Sequence, residues 1–172
     1  MGDLSEIQGL LDKQAITEVL YRYARGVDRC DRAVLATVYW PDAEDDHMVF
    51  KGSGDALLEY LSTAVRQMRT QHRLANILIE FDGPTRARSE SYVVAYHNMA
   101  APSGREEVVF GGRYLDRFEK RGGEWRISYR KLVMDFFQNQ PAATDLGVFG
   151  SLPITGGHYP ADPLYEINSG PR

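Results

Sequence analysis

The sequence has one cysteine, no long apolar run and no excess of basic charge. With Cys30 alone, neither an internal disulfide nor a cysteine metal cluster can form, so we expect a reducing, cytoplasmic environment. No stretch approaches the roughly 20 apolar residues of a membrane-spanning helix, and the N-terminus lacks the pattern of a signal peptide. We therefore expect no membrane partner.

The charge balance argues against nucleic acid as a partner. The chain has 20 Lys and Arg residues against 24 Asp and Glu residues, a net charge of −4. Proteins that bind nucleic acid gain affinity by releasing counterions from phosphates, which requires a local basic excess. The densest basic stretch, 117–121, is interrupted by Glu119. We therefore expect no nucleic-acid partner.

Hydrophobic periodicity predicts helices in the first part of the chain. Apolar residues recur at helical spacing over 5–28, which predicts one long amphipathic helix. A second, short helix is predicted at 31–39, ended by Pro41, and a short strand follows at 44–51. A third helix is predicted to begin after Ser53.

The middle of the chain changes to an extended pattern. Four runs rich in β-branched and aromatic residues predict strands: 71–81, 87–99, 106–120 and 124–137. Turn signals such as Asp82-Gly83-Pro84 and Gly122-Gly123 separate them. Helices first and antiparallel strands afterwards indicate an α+β fold, in which three N-terminal helices cover one face of a curved, mostly antiparallel sheet. We expect this domain to span 1–139.

The tail, 140–172, combines many Pro and Gly residues with apolar side chains. It has no periodicity, yet it contains Phe149, Leu152, Ile154 and Tyr159. Each of these side chains would gain roughly 1.5–3 kcal/mol if fully buried. We expect an extended arm that packs on the body, across a pocket mouth or on a neighbouring subunit. Deleting residues from Thr144 onward should then weaken substrate binding or turnover.

Asp28 lies at a position of the predicted helix that disfavours an acidic residue. The carboxylate lies at the C-terminal end of the first predicted helix, where the helix dipole prefers cations. Either Asp28 lies solvated in a turn with Asp31, or another interaction holds it there. The sequence alone leaves both readings open.

His72 opens the first long predicted strand. Imidazole titrates near neutrality and is the commonest acid/base group in enzymes. A histidine that is merely hydrogen-bonded at a strand start would give the same sequence, so this alternative also stays open.

The run Asp45-Asp46-His47 lies in the predicted early strand. Side chains alternate along a strand, so one of two adjacent residues faces inward. All three cannot face one ion, and no spaced His/Glu motif completes a ligand set. We therefore expect no metal, with Asp46 and His47 as the first ligands to examine if one were bound.

Other chemistries have weaker signals. No phosphate-binding glycine loop or nucleophile-elbow serine is present. Cys30 has no base designed beside it in sequence, so we expect no nucleophilic role. His97, next to Tyr96 in a predicted strand, is interpreted as structural or exposed.

Taken together, these motifs resemble the scytalone dehydratase and SnoaL-like branch of the nuclear transport factor 2-like superfamily. Arg69-Thr70-Gln71-His72 is similar to the segment with the catalytic histidine of scytalone dehydratases. Gly26-Val27-Asp28 and the run 123–137 are similar to hexachlorocyclohexane dehydrochlorinases, whose catalytic arginine falls on Arg130. Tyr23 is placed like the tyrosine of bile-acid 7α-dehydratases. The resemblance covers 5–137 and implies a cone-shaped, cystatin-like α+β barrel.

The resemblance implies a cofactor-free lyase of the dehydratase type, acting on a small hydrophobic cyclic substrate. His72 would take a proton from carbon, Asp28 would hold the imidazole in one tautomer, and Arg130 would assist catalysis. Five further residues are expected to bind substrate: Tyr23, His47, Tyr114, Met134 and Phe136. Arg130, Met134 and Phe136 share strand parity, so all three are expected to face inward.

Two alternatives of other classes remain open at this point. A ketosteroid-isomerase-like isomerase or cyclase would use Asp28 as base and Tyr23 as oxyanion donor, with His72 standing aside. A non-catalytic binding or assembly module of the same fold would have its pocket filled by side chains. The resemblance also implies a homo-oligomer, with a trimer as the first expectation and a dimer as the second.

Overall fold

A computed structural model describes residues 4–48, 50–102, 104–142 and 150–167. The helices are α1 (Leu4–Asp28), α2 (Arg32–Leu35), α3 (Gly54–Ala64) and α4 (Leu164–Ile167), and a single 3-10 turn, Val65–Gln67, follows α3. The strands are β1 (Tyr39–Asp46), β2 (Lys51–Ser53), β3 (Arg69–Phe81), β4 (Arg86–Ala101), β5 (Gly104–Arg121) and β6 (Glu124–Pro141). In this part of the chain no helix is both long enough and apolar enough to cross a membrane.

The six strands form one curved, open sheet in the order β2-β1-β6-β5-β4-β3. Neighbouring strands are antiparallel except β1 and β6, which are parallel. Hairpins at Gly83 and Gly122-Gly123 join the long strands, and all three glycines have positive φ, as these tight turns require. The predicted α+β fold, with N-terminal helices on a curved, mostly antiparallel sheet, is confirmed.

The second helix is shorter than predicted. It ends at Leu35, and Tyr39 already begins β1. The reason is tertiary: the Ile127 N–H of β6 donates to the Val38 carbonyl at 2.9 Å, so the chain becomes extended before Pro41. Pro41 itself lies in β1 where the register with β6 shifts, so its missing N–H breaks no regular ladder bond.

The core fills the space between the helices and the face of the sheet that they cover, here called the inner face. Side chains that are almost fully buried come from α1, the segment just before β1, α3 and the long strands: Ile16, Leu20, Val38, Leu57, Val93, Phe118 and Ile127. Ser53 caps α3 by accepting the Ala56 N–H at 3.2 Å. The core therefore fixes the end of α1 against the start of β3, where Asp28 and His72 lie.

The opposite face of the sheet, here called the outer face, exposes apolar side chains. Val94, Gly111 and Phe136 are register partners on three adjacent strands and so share one face. Tyr92 and Leu78 lie on the same face of β4 and β3, and their side chains are exposed. These residues together form an apolar patch, in contrast to the single, scattered apolar residues that are normal on a protein surface.

The tail contacts the turn between α1 and α2 and is held mainly by polar groups. Arg29 donates to the Gly157 carbonyl at 2.9 Å and forms an ion pair with Asp162 at 3.3 Å. The Tyr165 hydroxyl donates to Asp31 at 2.7 Å. No described tail residue lines the cavity of the inner face. The tail thus packs beside the segment that carries Asp28 and, in its described part, does not reach the cavity.

Three apolar residues of the tail do not pack on the body of their own chain, so their burial against a neighbouring subunit stays a prediction. Leu152 is 62% exposed, Ile154 67% and Tyr159 53%. Phe149 lies outside the described residues. The contacts of 156–167 with the body are instead polar, because Arg29 and Asp31 offer hydrogen-bond partners to Gly157, Asp162 and Tyr165.

We expect Asp162→Ala to loosen the tail and to increase the rate at which a maleimide labels Cys30. Asp162 accepts the backbone N–H groups of Gly157 and Leu164 as well as pairing with Arg29. Cys30 is buried, and both of its sequence neighbours contact the tail. Ile154→Ala, a change at an exposed tail position, is the control; equal labelling of both variants and the unchanged protein would contradict the expectation.

Candidate active site

A cavity of about 320 Å³ lies between α1, α3 and the inner face of the sheet. Its walls are mostly apolar and include Leu57 and Leu61 of α3 together with four methionines: Met48, Met68, Met99 and Met134. The polar groups that reach it belong to three histidines and three tyrosines: His47, His72, His97, Tyr23, Tyr114 and Tyr60 of α3. Apolar walls with a few placed polar groups are typical of small-molecule sites.

A larger hollow of about 490 Å³ lies on the outer face of the sheet. Charged residues such as Glu80, Arg88 and Lys131 line it, and it contains none of the predicted site residues. The chemistry-bearing side chains converge on the inner cavity, so that cavity is the candidate active site.

Asp28 and His72 meet at the edge of this cavity. Nδ1 of His72 lies 2.7 Å from Oδ1 of Asp28, and both side chains are buried. Asp28 also accepts the Thr70 hydroxyl at 2.8 Å and the His72 backbone N–H at 2.9 Å. These three hydrogen bonds explain why a carboxylate can lie at the C-terminal end of α1, against the helix dipole.

The hydrogen bonds keep Asp28 ionised. Burial opposes the charged form, but the bonds from His72 and Thr70 outweigh it, and the pKa of the Asp28 carboxyl is lowered from 3.8. Stability from this lowered pKa is therefore present at pH values above 3.8 and lost as the pH falls through the folded-state pKa.

The pairing also selects the tautomer of His72. A proton on Nδ1 faces the Asp28 carboxylate, so the neutral imidazole carries its lone pair on Nε2. His72 lines the cavity, whereas Asp28 does not. The arrangement presents a base to the cavity and keeps its counter-charge behind it.

A second Asp–His pair reaches the same cavity through its histidine, His47. Asp45 and His47 share strand parity and point inward, while Asp46 points outward to Lys51 at 3.5 Å. Nδ1 of His47 makes a short hydrogen bond with Asp45, and Nε2 lies 2.9 Å from the Tyr23 hydroxyl oxygen. Among the described residues no group of three or more His, Cys, Asp or Glu side chains is arranged to hold a metal.

Tyr23 is the buried centre of this second group. Its side chain is only 1% exposed, and burial raises its pKa well above the ordinary value of 10.0. Its ring meets those of His72 and Tyr114 edge-on, with ring centroids 6.4 Å and 5.5 Å away. The phenol therefore stays neutral and lies between the two Asp–His pairs.

Arg130 faces the interior as predicted but does not line the cavity. Its guanidinium lies 4.2 Å from the ring centroid of Tyr23 and 4.0 Å from that of Tyr114. Two hydrogen bonds of 2.7 Å join it to Asp116, and both side chains are fully buried. The rings of Tyr23 and Tyr114 thus lie between Arg130 and the cavity, and its expected part in catalysis stays a prediction.

Tyr114 and Met134 line the cavity, but Phe136 does not. The register shifts between Gly111 and Gly112, so that Gly112 pairs with Met134 and Gly111 with Phe136. This bulge adds one residue to β6 and reverses the parity that placed Phe136 inward. The interpretation of Phe136 as a substrate-binding residue is therefore corrected: it is half exposed and packs over Gly111 on the outer face.

Two residues near the site were missed or set aside in the sequence. His97 is not a peripheral residue: its ring stacks on Phe110 with centroids 5.4 Å apart and meets His72 edge-on at 5.6 Å. Burial, and then the nearby His72, lowers the pKa of His97 to about 4, so it is neutral at neutral pH. Its alternation with the buried Ala95 on β4 was the signal that places it inward.

Asp116 was the second such residue. Nothing in its local sequence, Leu115-Asp116-Arg117, marks it as buried. Only the pairing of β5 with β6, which places it opposite Arg130, identifies it as the partner of that cation. A correct strand register would have been the signal needed.

Comparison with known proteins gives the family. The SnoaL-like domain family matches residues 8–131. Hexachlorocyclohexane dehydrochlorinase 1 of Sphingobium indicum is 24% identical over 139 residues, which cover 78% of this chain and 88% of that protein. The gamma-hexachlorocyclohexane dehydrochlorinase of the same species is 23% identical over 139 residues, covering 78% and 87%.

Solved structures share the fold. A type 2 hexachlorocyclohexane dehydrochlorinase superposes with a TM-score of 0.74 at 20% identity, covering 83% of this chain and 98% of that one. A candidate scytalone dehydratase from Novosphingobium aromaticivorans superposes with a TM-score of 0.70 at 22% identity. The match covers 80% of this chain and 93% of that one. With the family match extending over most of the chain, from α1 into β6, this protein belongs to the SnoaL-like domain family.

Proposed function

We propose that this protein is a cofactor-independent lyase that eliminates water from a small hydrophobic cyclic substrate. The observation that carries the proposal is the buried Asp28–His72 pair, whose imidazole opens onto an apolar cavity. The curated relatives are dehydrochlorinases by name, which supports elimination as the class of reaction.

In the proposed step, Nε2 of His72 removes a proton from a carbon next to the one that carries the hydroxyl. The C–H electron pair forms the new C=C bond, and the C–O bond breaks. The hydroxyl takes the proton back from His72 and leaves as water. Asp28 stabilises the imidazolium formed in between, as a carboxylate does behind a catalytic histidine.

The isomerase or cyclase alternative has less support. A carboxylate base needs an oxygen that faces the substrate, but Oδ1 and Oδ2 of Asp28 accept bonds from Thr70 and His72, and Asp28 does not line the cavity. The non-catalytic module also has less support, because the cavity is open rather than filled by side chains.

The experiment is a screen of cyclic β-hydroxy ketones, one- and two-ring, for loss of water, followed by the ultraviolet absorbance of the enone product. Protein treated with a metal chelator should dehydrate the substrate at the same rate as untreated protein, since the proposed step uses no metal or organic cofactor. No dehydration of any member, together with tight binding of several without reaction, would contradict the lyase and favour a binding module.

The apolar patch on the outer face supports a homo-oligomer, with a trimer as the first expectation and a dimer as the second. Phe136, Tyr92 and Leu78 are exposed on it and would be covered by other subunits. We expect light scattering at micromolar concentration to give a multiple of the 19.4 kDa chain mass, and Tyr92→Glu with Phe136→Glu to give the monomer. A monomeric unchanged protein would contradict this.

A further inference from the structure

We propose that the tail clamps the turn after α1 and that Asp162 is a positioning residue for the Asp28–His72 pair. The inference rests on the proposed elimination, in which this pair carries out the chemistry. No described residue of the tail lines the cavity, so the tail acts through the backbone that carries Asp28.

The turn that ends α1 contains a strained residue. The Cys30 N–H donates to the Val27 carbonyl at 3.1 Å, and the Asp31 N–H donates to the Gly26 carbonyl at 2.8 Å. These two bonds define a Schellman motif, in which one residue after the helix adopts the left-handed conformation and is most often glycine. Here that residue is Cys30, with a φ of 49°. A side chain with a Cβ is strained in this conformation, so the surrounding structure has to hold the turn in shape.

The tail binds the turn on both sides of Cys30. Before Cys30, the Tyr159 N–H donates to the Arg29 carbonyl at 2.6 Å. After Cys30, the Tyr165 hydroxyl donates to the Asp31 side chain at 2.7 Å. Contacts on both sides of the strained residue fix the direction in which the chain leaves α1.

Asp162 organises the tail for these contacts. Its buried carboxylate accepts the backbone N–H groups of Gly157 at 2.9 Å and Leu164 at 3.0 Å. It also forms an ion pair with Arg29 at 3.3 Å, and the Arg29 guanidinium donates to the Gly157 carbonyl at 2.9 Å. One carboxylate therefore folds this part of the tail and attaches it to the residue that directly follows α1.

The position of Asp28 depends on how α1 ends. Asp28 is the last residue of α1. Its two oxygens accept three hydrogen bonds from β3, one from the Thr70 hydroxyl and two from His72. A shift of the last helical turn would lengthen these bonds and move the carboxylate away from the imidazole. Misplacement of a catalytic group by about 1 Å can slow a reaction by up to roughly 10²-fold.

The first test is amide hydrogen exchange followed by NMR, which needs no substrate. The His72 N–H donates to Asp28 at 2.9 Å, so its exchange rate reports how firmly Asp28 is held. We expect Asp162→Ala to raise this rate about tenfold, the loss of roughly one hydrogen bond to a charged group. The amide of Val93, in the buried core of the sheet, should exchange as before. Ile154→Ala, at an exposed tail position, is the matched control.

A second pair of variants separates the clamp from a general loss of stability. Glycine adopts the left-handed conformation without strain. Cys30→Gly, added to Asp162→Ala, should therefore return the exchange rate of the His72 amide toward its original value. Cys30→Ala also lacks the thiol but keeps the Cβ, so it should not. An equal effect of the two replacements would overturn the inference.

Kinetics on a substrate from the screen then connect the clamp to the reaction. Asp162→Ala should lower kcat by up to about tenfold and leave KM unchanged, since 150–167 lies outside the cavity. An unchanged exchange rate of the His72 amide in this variant, or an unchanged kcat, would overturn the inference and leave the lyase standing. Faster exchange with rescue by Cys30→Gly, but no dehydration of any substrate, would uphold the clamp and contradict the lyase.

Discussion

His72→Asn should lower kcat/KM for an accepted substrate by roughly 10²–10⁴, the value of acid/base help from one positioned group. Asp28→Asn should cause a large loss as well, because a neutral amide does not balance the imidazolium and its NH2 group can favour the other tautomer of His72. The double variant should be little worse than the poorer single variant, since the two residues act as a unit. Steady-state kinetics on one screened substrate measures all three.

The matched control is Asp82→Asn. Asp82 is an exposed turn residue whose ion pair with Arg86, at 3.5 Å, lies far along β3 from His72. The activity of the Asp82→Asn variant should equal that of the unchanged protein. If His72→Asn kept full activity while folded, the dyad would not be the catalytic group, and the proposed mechanism would be wrong.

Asp116→Asn should destabilise the protein by about 3–5 kcal/mol, since removing one partner of a buried ion pair leaves an uncompensated buried charge. Arg130 is fully buried, and within the described residues its Nη1 already has no hydrogen-bond partner. For a chain of this size such a loss corresponds to a melting temperature lower by roughly 6–20 °C. Thermal unfolding followed by circular dichroism measures it.

The matched control here is Glu80→Gln. Its ion pair with Arg88, at 3.0 Å, is exposed on both sides. Exposed pairs contribute roughly 0–1 kcal/mol, so the melting temperature should hardly change. Equal small shifts in both variants would show that Arg130 finds water or another acceptor when Asp116 is gone.

The sequence predicted most of the fold and the Asp28–His72 contact for identifiable reasons. The long helix and the four long strands have strong periodicity, and their predicted positions lie within a few residues of the observed elements. Asp28 and His72 were marked by position, one at a helix end that disfavours a carboxylate and one at a strand start. The resemblance to known motifs then joined them. Their roles in catalysis remain a proposal.

What the sequence could not predict depended on register and tertiary contacts. The bulge between Gly111 and Gly112 moved Phe136 out of the site, and no local signal in β6 marks it. The sequence could not predict that Asp116 is the partner of Arg130, because Asp116 lies 14 residues away on another strand. The polar contacts of the tail with its own chain, such as the ion pair of Asp162 with Arg29, were not predicted, because they join residues far apart in the sequence.

The four methionines that line the cavity comprise every methionine of the chain except Met1, since the sequence has five. Thioether side chains are unbranched and polarizable, so this wall can change shape to suit different ligands more readily than one of Leu or Ile. The same chemistry exposes it to oxidants, because sulfoxide formation turns an apolar side chain polar. Methyl-labelled methionine would consequently place four of its five spectroscopic probes around the bound ligand, and peroxide damage would be concentrated there too.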